Sequence, residues 1–190
     1  MFKVLEKAFN GGFKEARTRK YEMKDTNPDV FRVFVQWLYS QKVTHIHHDD
    51  IGQWHDDMTA EEKQEHENIC DPQTTIQIQL WVLAEKLLIP RLQNELMDVF
   101  GLVGLTCFNP FEYRVEYIYQ HTADSPLRRF VVKMSAWSRD SNEYKTYRNL
   151  YPYEFLLDLA MEFSAAAPWH VKANHKRKIQ SSHYYVEDNA

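Results

Sequence analysis

Thr26-Asn27-Pro28-Asp29-Val30-Phe31-Arg32-Val33-Phe34-Val35-Gln36-Trp37-Leu38-Tyr39 is the stretch on which the fold turns. Thr26 or Asn27 offers a side-chain oxygen to the free N–H groups that open a helix, and Pro28 fits a first turn where its missing N–H costs nothing. Asp29 places negative charge at the positive end of the helix dipole. Val30, Phe31, Phe34, Trp37 and Leu38 then recur at three- and four-residue steps, which makes one broad apolar face. Such a face needs a large buried partner. Ile78 to Phe100 is the other apolar stretch of the first hundred residues and is expected to supply it.

Working outward, the hairpin signal lies around Pro90. Leu80, Leu83, Ala84, Leu87 and Leu88 form a helical stripe with Trp81 beside it; Leu92, Leu96, Met97, Val99, Phe100 and Val103 form a second. Pro90 stops the first helix and starts the next, so the two are tightly joined neighbours. Before the opening stretch, Phe2, Leu5, Ala8 and Phe9 predict a short helix ended by Gly11-Gly12, and Lys20 to Lys24 alternates like a strand. After the hairpin, Asn109-Pro110, Ser125-Pro126 and Pro152 each mark a helix start. Their expected inward faces are Phe111, Val115, Ile118 and Tyr119; Leu127, Phe130, Val131, Met134 and Trp137; and Phe155, Leu156, Leu159, Ala160 and Phe163. Residues 138–149 read as a polar loop.

Residues 45–75 differ from the rest. They hold nine carboxylates against Lys63 alone, with too few apolar residues to anchor a helix, although Thr59-Ala60-Glu61-Glu62 has the form of a capping box. The expectation is a long, mobile, acidic insertion. The predicted organisation is a first domain over 1–105 that contains this insertion, a helical extension over 106–167, and a disordered tail over 168–190. The fold class expected is α+β, mainly α-helical.

The chain has 190 residues, 44% hydrophobic and 14% aromatic, enough for a core. A net charge of −4 gives no reason to expect nucleic acid or an anionic membrane as partner. No apolar run approaches the ~20 residues of a membrane span. Two cysteines, Cys70 and Cys107, and an opening Met1-Phe2-Lys3-Val4-Leu5 that enters patterned sequence directly suggest a reduced setting, nucleus or cytoplasm. His175-Lys176-Arg177-Lys178 is a small basic run of the kind found in nuclear signals and on ordinary surfaces alike.

Several residues have the chemistry for a site. His45, His47 and His48, with Asp49, Asp50, His55, Asp56, His66 and Cys70, are metal-ligand types at short spacing. No helical His-x-x-x-His or CxxC organises them, so a solvated loop is the preferred reading and no cofactor is expected. Cys107 has no assignable basic partner and reads as a buried structural cysteine. No Ser/His/Asp arrangement can be placed, and no enzyme activity is expected.

A resemblance sharpens this. Phe9-Asn10-Gly11-Gly12-Phe13-Lys14-Glu15-Ala16, Tyr21-Glu22-Met23, and Asp25 to Tyr39 resemble the middle of a BTB/POZ domain, in wording closest to filamentous-fungal members. Trp81 to Asp98 resembles that family's closing helical hairpin, and Tyr117 to Thr122 with Ser125 to Arg129 resembles its helical extension. The resemblance spans roughly residues 1–137. It implies a truncated BTB/POZ fold, because the elements that open a full domain do not precede Met1; homodimerisation through their face is therefore open. It also implies protein–protein interaction, with an adaptor for a cullin-based ubiquitin ligase as the first expectation. Phe31, Gln36, Tyr39, Ser40 and Gln41 are the partner-binding residues it implies, with Tyr39 foremost. A self-associating scaffold or a transcription-linked interaction protein is the alternative, and a metal-dependent enzyme built on the histidine-rich loop the remote one.

Overall fold

The computed structural model describes residues 3–12, 14–23, 25–43, 55, 57–107, 111–139, 141–168 and 170–172. Nine α-helices are described: α1 (Lys3–Asn10), α2 (Lys14–Thr18), α3 (Pro28–Ser40), α4 (Ala60–Lys86), α5 (Pro90–Thr106), α6 (Val115–His121), α7 (Pro126–Ser138), α8 (Ser141–Thr146) and α9 (Tyr153–Ala166). Two 3-10 turns, Glu112–Arg114 and Arg148–Leu150, lie between them.

The expectation of an α+β chain is overturned. No strand occurs among the described residues, and the fold is all-α. Lys20 to Met23 alternates in sequence, but it has no second strand to exchange ladder hydrogen bonds with, and alternation alone does not make a sheet. Tyr21 instead sets its ring edge-on to Phe9, centroids 6.5 Å apart.

α3 forms as its sequence dictates. The Asn27 side chain accepts a hydrogen bond from the Asp29 N–H at 2.9 Å, and Pro28 occupies the first turn. Val30, Phe34 and Trp37 are buried, and the rings of Phe34 and Trp37 stack 6.3 Å apart. Phe31, expected on the same face, is 44% exposed. Trp37 Nε1 donates to Glu95 Oε2 at 2.9 Å, and Glu95 Oε1 accepts from the Val43 N–H. One carboxylate thus joins α5 to both α3 and the chain leaving it.

α4 is the axis of the molecule and the largest departure from expectation. It begins at Ala60, well inside the stretch read as an acidic insertion, and runs for 27 residues. The Thr59 hydroxyl accepts from the Glu62 N–H, and the Glu62 carboxylate accepts from the Thr59 N–H, so the capping box closes in both directions. These bonds, led by the backbone N–H of Thr59, hold the Glu62 carboxyl below its ordinary range. Pro72 sits within the helix without ending it. The helix is anchored by a narrow stripe of one residue per turn, His66, Cys70, Thr74 and Gln77/Ile78, and from Leu80 to Ala84 it is buried on every side.

α4 packs against α3 and α5; α9 packs against α6 and α7. The α4–α5 connection is the expected tight hairpin. Ile89 N–H bonds to Ala84 C=O and Leu88 N–H to Glu85 C=O, a Schellman closure that puts Leu88 at φ 54°. Leu88, placed by sequence in the buried stripe, is therefore turned outward. Gly104 lies against the Met134 side chain, where the absence of a Cβ lets α5 and α7 approach closely.

The C-terminal helices begin where expected at Pro126 and Tyr153; Asn109 and Pro110 lie outside the described residues. Ser125 accepts from the Arg128 N–H at 3.2 Å. Leu127, Val131, Phe155 and Leu159 are buried, whereas Trp137, Leu156 and Phe163 face outward. The stretch read as a polar loop contains α8, whose Tyr144 hydroxyl donates to the Ser135 carbonyl at 2.7 Å. No helix among the described residues is long and apolar enough to cross a membrane.

Candidate functional site

The five residues implied as partner-binding separate into two groups. Gln36, Tyr39 and Ser40 lie on the side of α3 that borders a groove of about 1010 Å³ between α3 and the middle of α4. Arg32, Val33, Lys42 and Val43 line the same side, and Gln73, Ile76 and Gln77 line the other. The spacing 32, 36, 39/40 and 43 brings these residues to one face. Tyr39 is 88% exposed, two residues beyond the buried Trp37 of the same helix. Its ring is held at the mouth of the groove by the helix alone. Two cations at the rim, Arg32 and Lys42, make that mouth basic; Arg32 is paired to Asp29 at 3.1 Å, an exposed contact of little stabilising weight.

Gln41 belongs to local structure. At φ 54° it is the left-handed cap of α3, and its side-chain Nε2 donates to the Trp37 and Leu38 carbonyls at 3.2 and 3.1 Å. Those bonds satisfy helix-terminal acceptors and commit the amide. Phe31 does not border the groove; its ring leans on Phe34 at 6.3 Å.

The histidine-rich candidates divide as well. His45, His47 and His48, together with Asp49, Asp50 and Asp56, lie outside the described residues. His55 is exposed. His66 and Cys70 are the two members whose donor atoms come together: one helical turn apart, they point into the core and meet Cys107, the residue that caps the end of α5. Their donor atoms lie within 4.8 Å of one another, and the two Sγ atoms are 2.6 Å apart. The contact with Cys107 and burial together push the Cys70 thiol far above its ordinary range, so it is held as a neutral thiol. Sequence reasoning placed His66 and Cys70 in a loop and missed their union with Cys107. The available signal was the four-residue step from 66 to 70 followed by 74 and 78, a helical stripe whose polar members disguised it.

A second polar centre went unseen. Arg139 Nη1 donates to Glu112 Oε1 at 2.9 Å, both side chains 2% exposed, and the Tyr151 hydroxyl donates to the same oxygen at 2.7 Å. Burial, acting ahead of the opposing pull of Tyr151 and Arg139, holds the Glu112 carboxyl above its ordinary range. Arg114 reaches back to α4, bonding the Asp71 carboxylate at 3.2 Å, the Asp71 carbonyl at 2.9 Å and the Thr75 hydroxyl at 3.0 Å. The geometry of the Glu112–Arg139–Tyr151 group is that of a structural staple.

Compared with models of known protein families, with curated proteins and with solved structures, the chain has no significant match in any of the three.

Proposed function

We propose that the chain is a protein–protein interaction module without catalysis of its own, and that its partner seats on the α3–α4 groove with Tyr39 as anchor. The observation that carries this reading is the position of Tyr39: a large aromatic almost wholly in solvent, rigidly borne by a helix, beside an open groove with Val33, Val43 and Ile76 in its walls. Tyrosine is favoured at such places because its ring offers a large contact area at low entropic cost while its hydroxyl stays hydrated. Gln36 flanks it with an amide able to pair with a partner backbone.

The first partner class to test is a cullin scaffold. The motif series that resembles BTB/POZ adaptors includes α3, which forms one wall of this groove. Light scattering after size exclusion, on the full chain with and without a cullin N-terminal fragment, tests it. A mass increase of one fragment, abolished by Tyr39→Ala with the helical circular-dichroism signal retained, is the expected outcome. A chain that ignores the fragment overturns the adaptor reading, and a chain that is itself a defined multimer points to the scaffold alternative instead.

A further inference from the structure

We propose that His66, Cys70 and Cys107 form a buried site for one divalent cation of the zinc type, held by two thiolates and one imidazole. The site is independent of the α3–α4 groove and joins α4 to the C-terminal end of α5.

The geometry is that of a convergent ligand set rather than of scattered core residues. His66 and Cys70 stand at positions i and i+4 of one helix, the spacing that aligns two side chains on one face. Cys107 enters from a different element, at the point where α5 ends and its backbone turns extended. All three are buried, and every pair of donor atoms lies within 4.8 Å. Ligands about 2.0–2.3 Å from a central ion fall within such a spread. The two sulfurs, now 2.6 Å apart, have to separate to accept an ion between them. Binding therefore requires the Cys70 and Cys107 side chains to turn apart.

The donor chemistry selects the ion. Two thiolates and an imidazole are soft to borderline ligands, suited to zinc and poorly suited to calcium or magnesium. Charge balance selects a dication. Arg114 and Asp71 beside the site are already paired with each other, so the site must neutralise itself. Two thiolates with a divalent ion sum to zero, and an uncompensated buried charge is what a protein interior tolerates least. Three protein ligands is the count of zinc sites that keep one position for water or another small ligand. Binding is an exchange: one cation enters, two thiol protons leave to solvent, and no electrons move. On the next turn of the same face Thr74 is fully buried, its hydroxyl without a hydrogen-bond partner among the described residues. A polar interior of this kind fits an ion better than it fits hydrocarbon.

The test uses the full chain, reduced and freed of metal. Zinc is titrated against a chromophoric chelator, and cobalt(II) serves as the spectroscopic probe. One equivalent is expected, with the near-ultraviolet charge-transfer absorption of cobalt bound to thiolate, and with both cysteines protected from alkylation by zinc in the unaltered chain. Cys70→Ser and Cys107→Ser each weaken binding by more than about 100-fold, since loss of an outer-shell partner alone costs 10–100-fold. The combined His45→Ala, His47→Ala and His48→Ala variant binds as before. Three results would overturn the proposal: no zinc retained and no protection of the unaltered chain, binding that survives both cysteine variants, or a Cys70–Cys107 disulfide that forms in air while zinc is present. The alkylation arm needs no variant and so stands even where a serine disturbs the core.

Discussion

The seam between α3 and α4 and the seam around the Glu112–Arg114 turn are closed by opposite means. The first is apolar: Val30, Phe34 and Trp37 of α3 and the all-round buried segment Leu80–Ala84 of α4 belong to one core, and a single hydrogen bond from Trp37 to Glu95 ties α3 to the neighbouring α5. The second is polar: Arg139, Glu112 and Tyr151 bond to one another in the interior, and Arg114 crosses to Asp71 and Thr75. The Tyr119 hydroxyl donates to Asp158 at 2.6 Å, and the Arg128 guanidinium lies 4.2 Å from the Tyr119 ring centroid. Apolar contact is non-directional, so damage to the first seam is graded with the area lost. Buried polar contact is all-or-none, because a partner removed leaves a charge that cannot regain water.

The sharpest way to break this comparison is to remove one member of the buried pair. Glu112→Gln keeps the shape and an acceptor for Tyr151 but leaves the Arg139 guanidinium without a counter-charge. A loss of about 3–5 kcal/mol is expected, read from urea midpoints with the slope unchanged. Arg139→Met is expected to cost the same order. The combined Glu112→Leu, Arg139→Met and Tyr151→Phe variant should recover most of it, since apolar replacement of a whole buried pair is often neutral. Additive losses would show instead that the three groups act independently, and the contrast between the seams would fall.

The polar seam also carries a pH signature that the apolar seam lacks. Burial raises the phenols of Tyr117, Tyr119, Tyr144 and Tyr151, and hydrogen bonds to Asp158 and Glu112 raise Tyr119 and Tyr151 further. A raised folded value means the folded chain keeps its phenolic protons where the unfolded chain gives them up. The associated stability is complete below the ordinary phenol value near 10 and is lost as pH rises above it. Denaturant midpoints should therefore fall as pH climbs past about 10. Tyrosinate absorbance should appear in two phases, the exposed rings first and the buried ones with unfolding. A single phase at the ordinary value would mean these rings are solvated in solution.

The same contrast explains what could be read from the chain beforehand. α3, the hairpin at Pro90, and the starts at Ser125 and Pro152 were legible because each rests on a local rule: a cap, a proline at the first turn, an apolar step of three or four. The groove residues Gln36, Tyr39 and Ser40 share a face for the same local reason. What was illegible is held by distant partners. The helix from Ala60 looked like an acidic loop because its buried stripe is His66, Cys70 and Thr74, residues that carry no apolar signal. The Glu112–Arg139 pair spans 27 positions, and single-sequence periodicity says nothing about which buried charges meet. The strand expected at Lys20–Lys24 failed from the other direction: its alternation was local, but a sheet requires a partner that the described chain does not offer.

Leu88 gives the smallest and cleanest test of the apolar half. It occupies the left-handed position of the Schellman closure between α4 and α5, where a Cβ is unfavourable, and its side chain is 61% exposed. Little apolar burial is lost if the side chain is removed. Glycine relieves the backbone at this position by about 1–2 kcal/mol, part of which is returned as the added freedom of glycine in the unfolded chain. Leu88→Gly is therefore expected to stabilise the protein by somewhat under about 1 kcal/mol, measured as a rise in the denaturant midpoint. The sign is the informative quantity. A gain means the hairpin is set by its backbone closure, as the hydrogen bonds from Leu88 to Glu85 and from Ile89 to Ala84 imply. A loss means the Leu88 side chain is covered in solution, by a second copy or by a partner. The outward-facing residues beside the Ile89–Pro90 turn would then join Tyr39 as a second surface to probe.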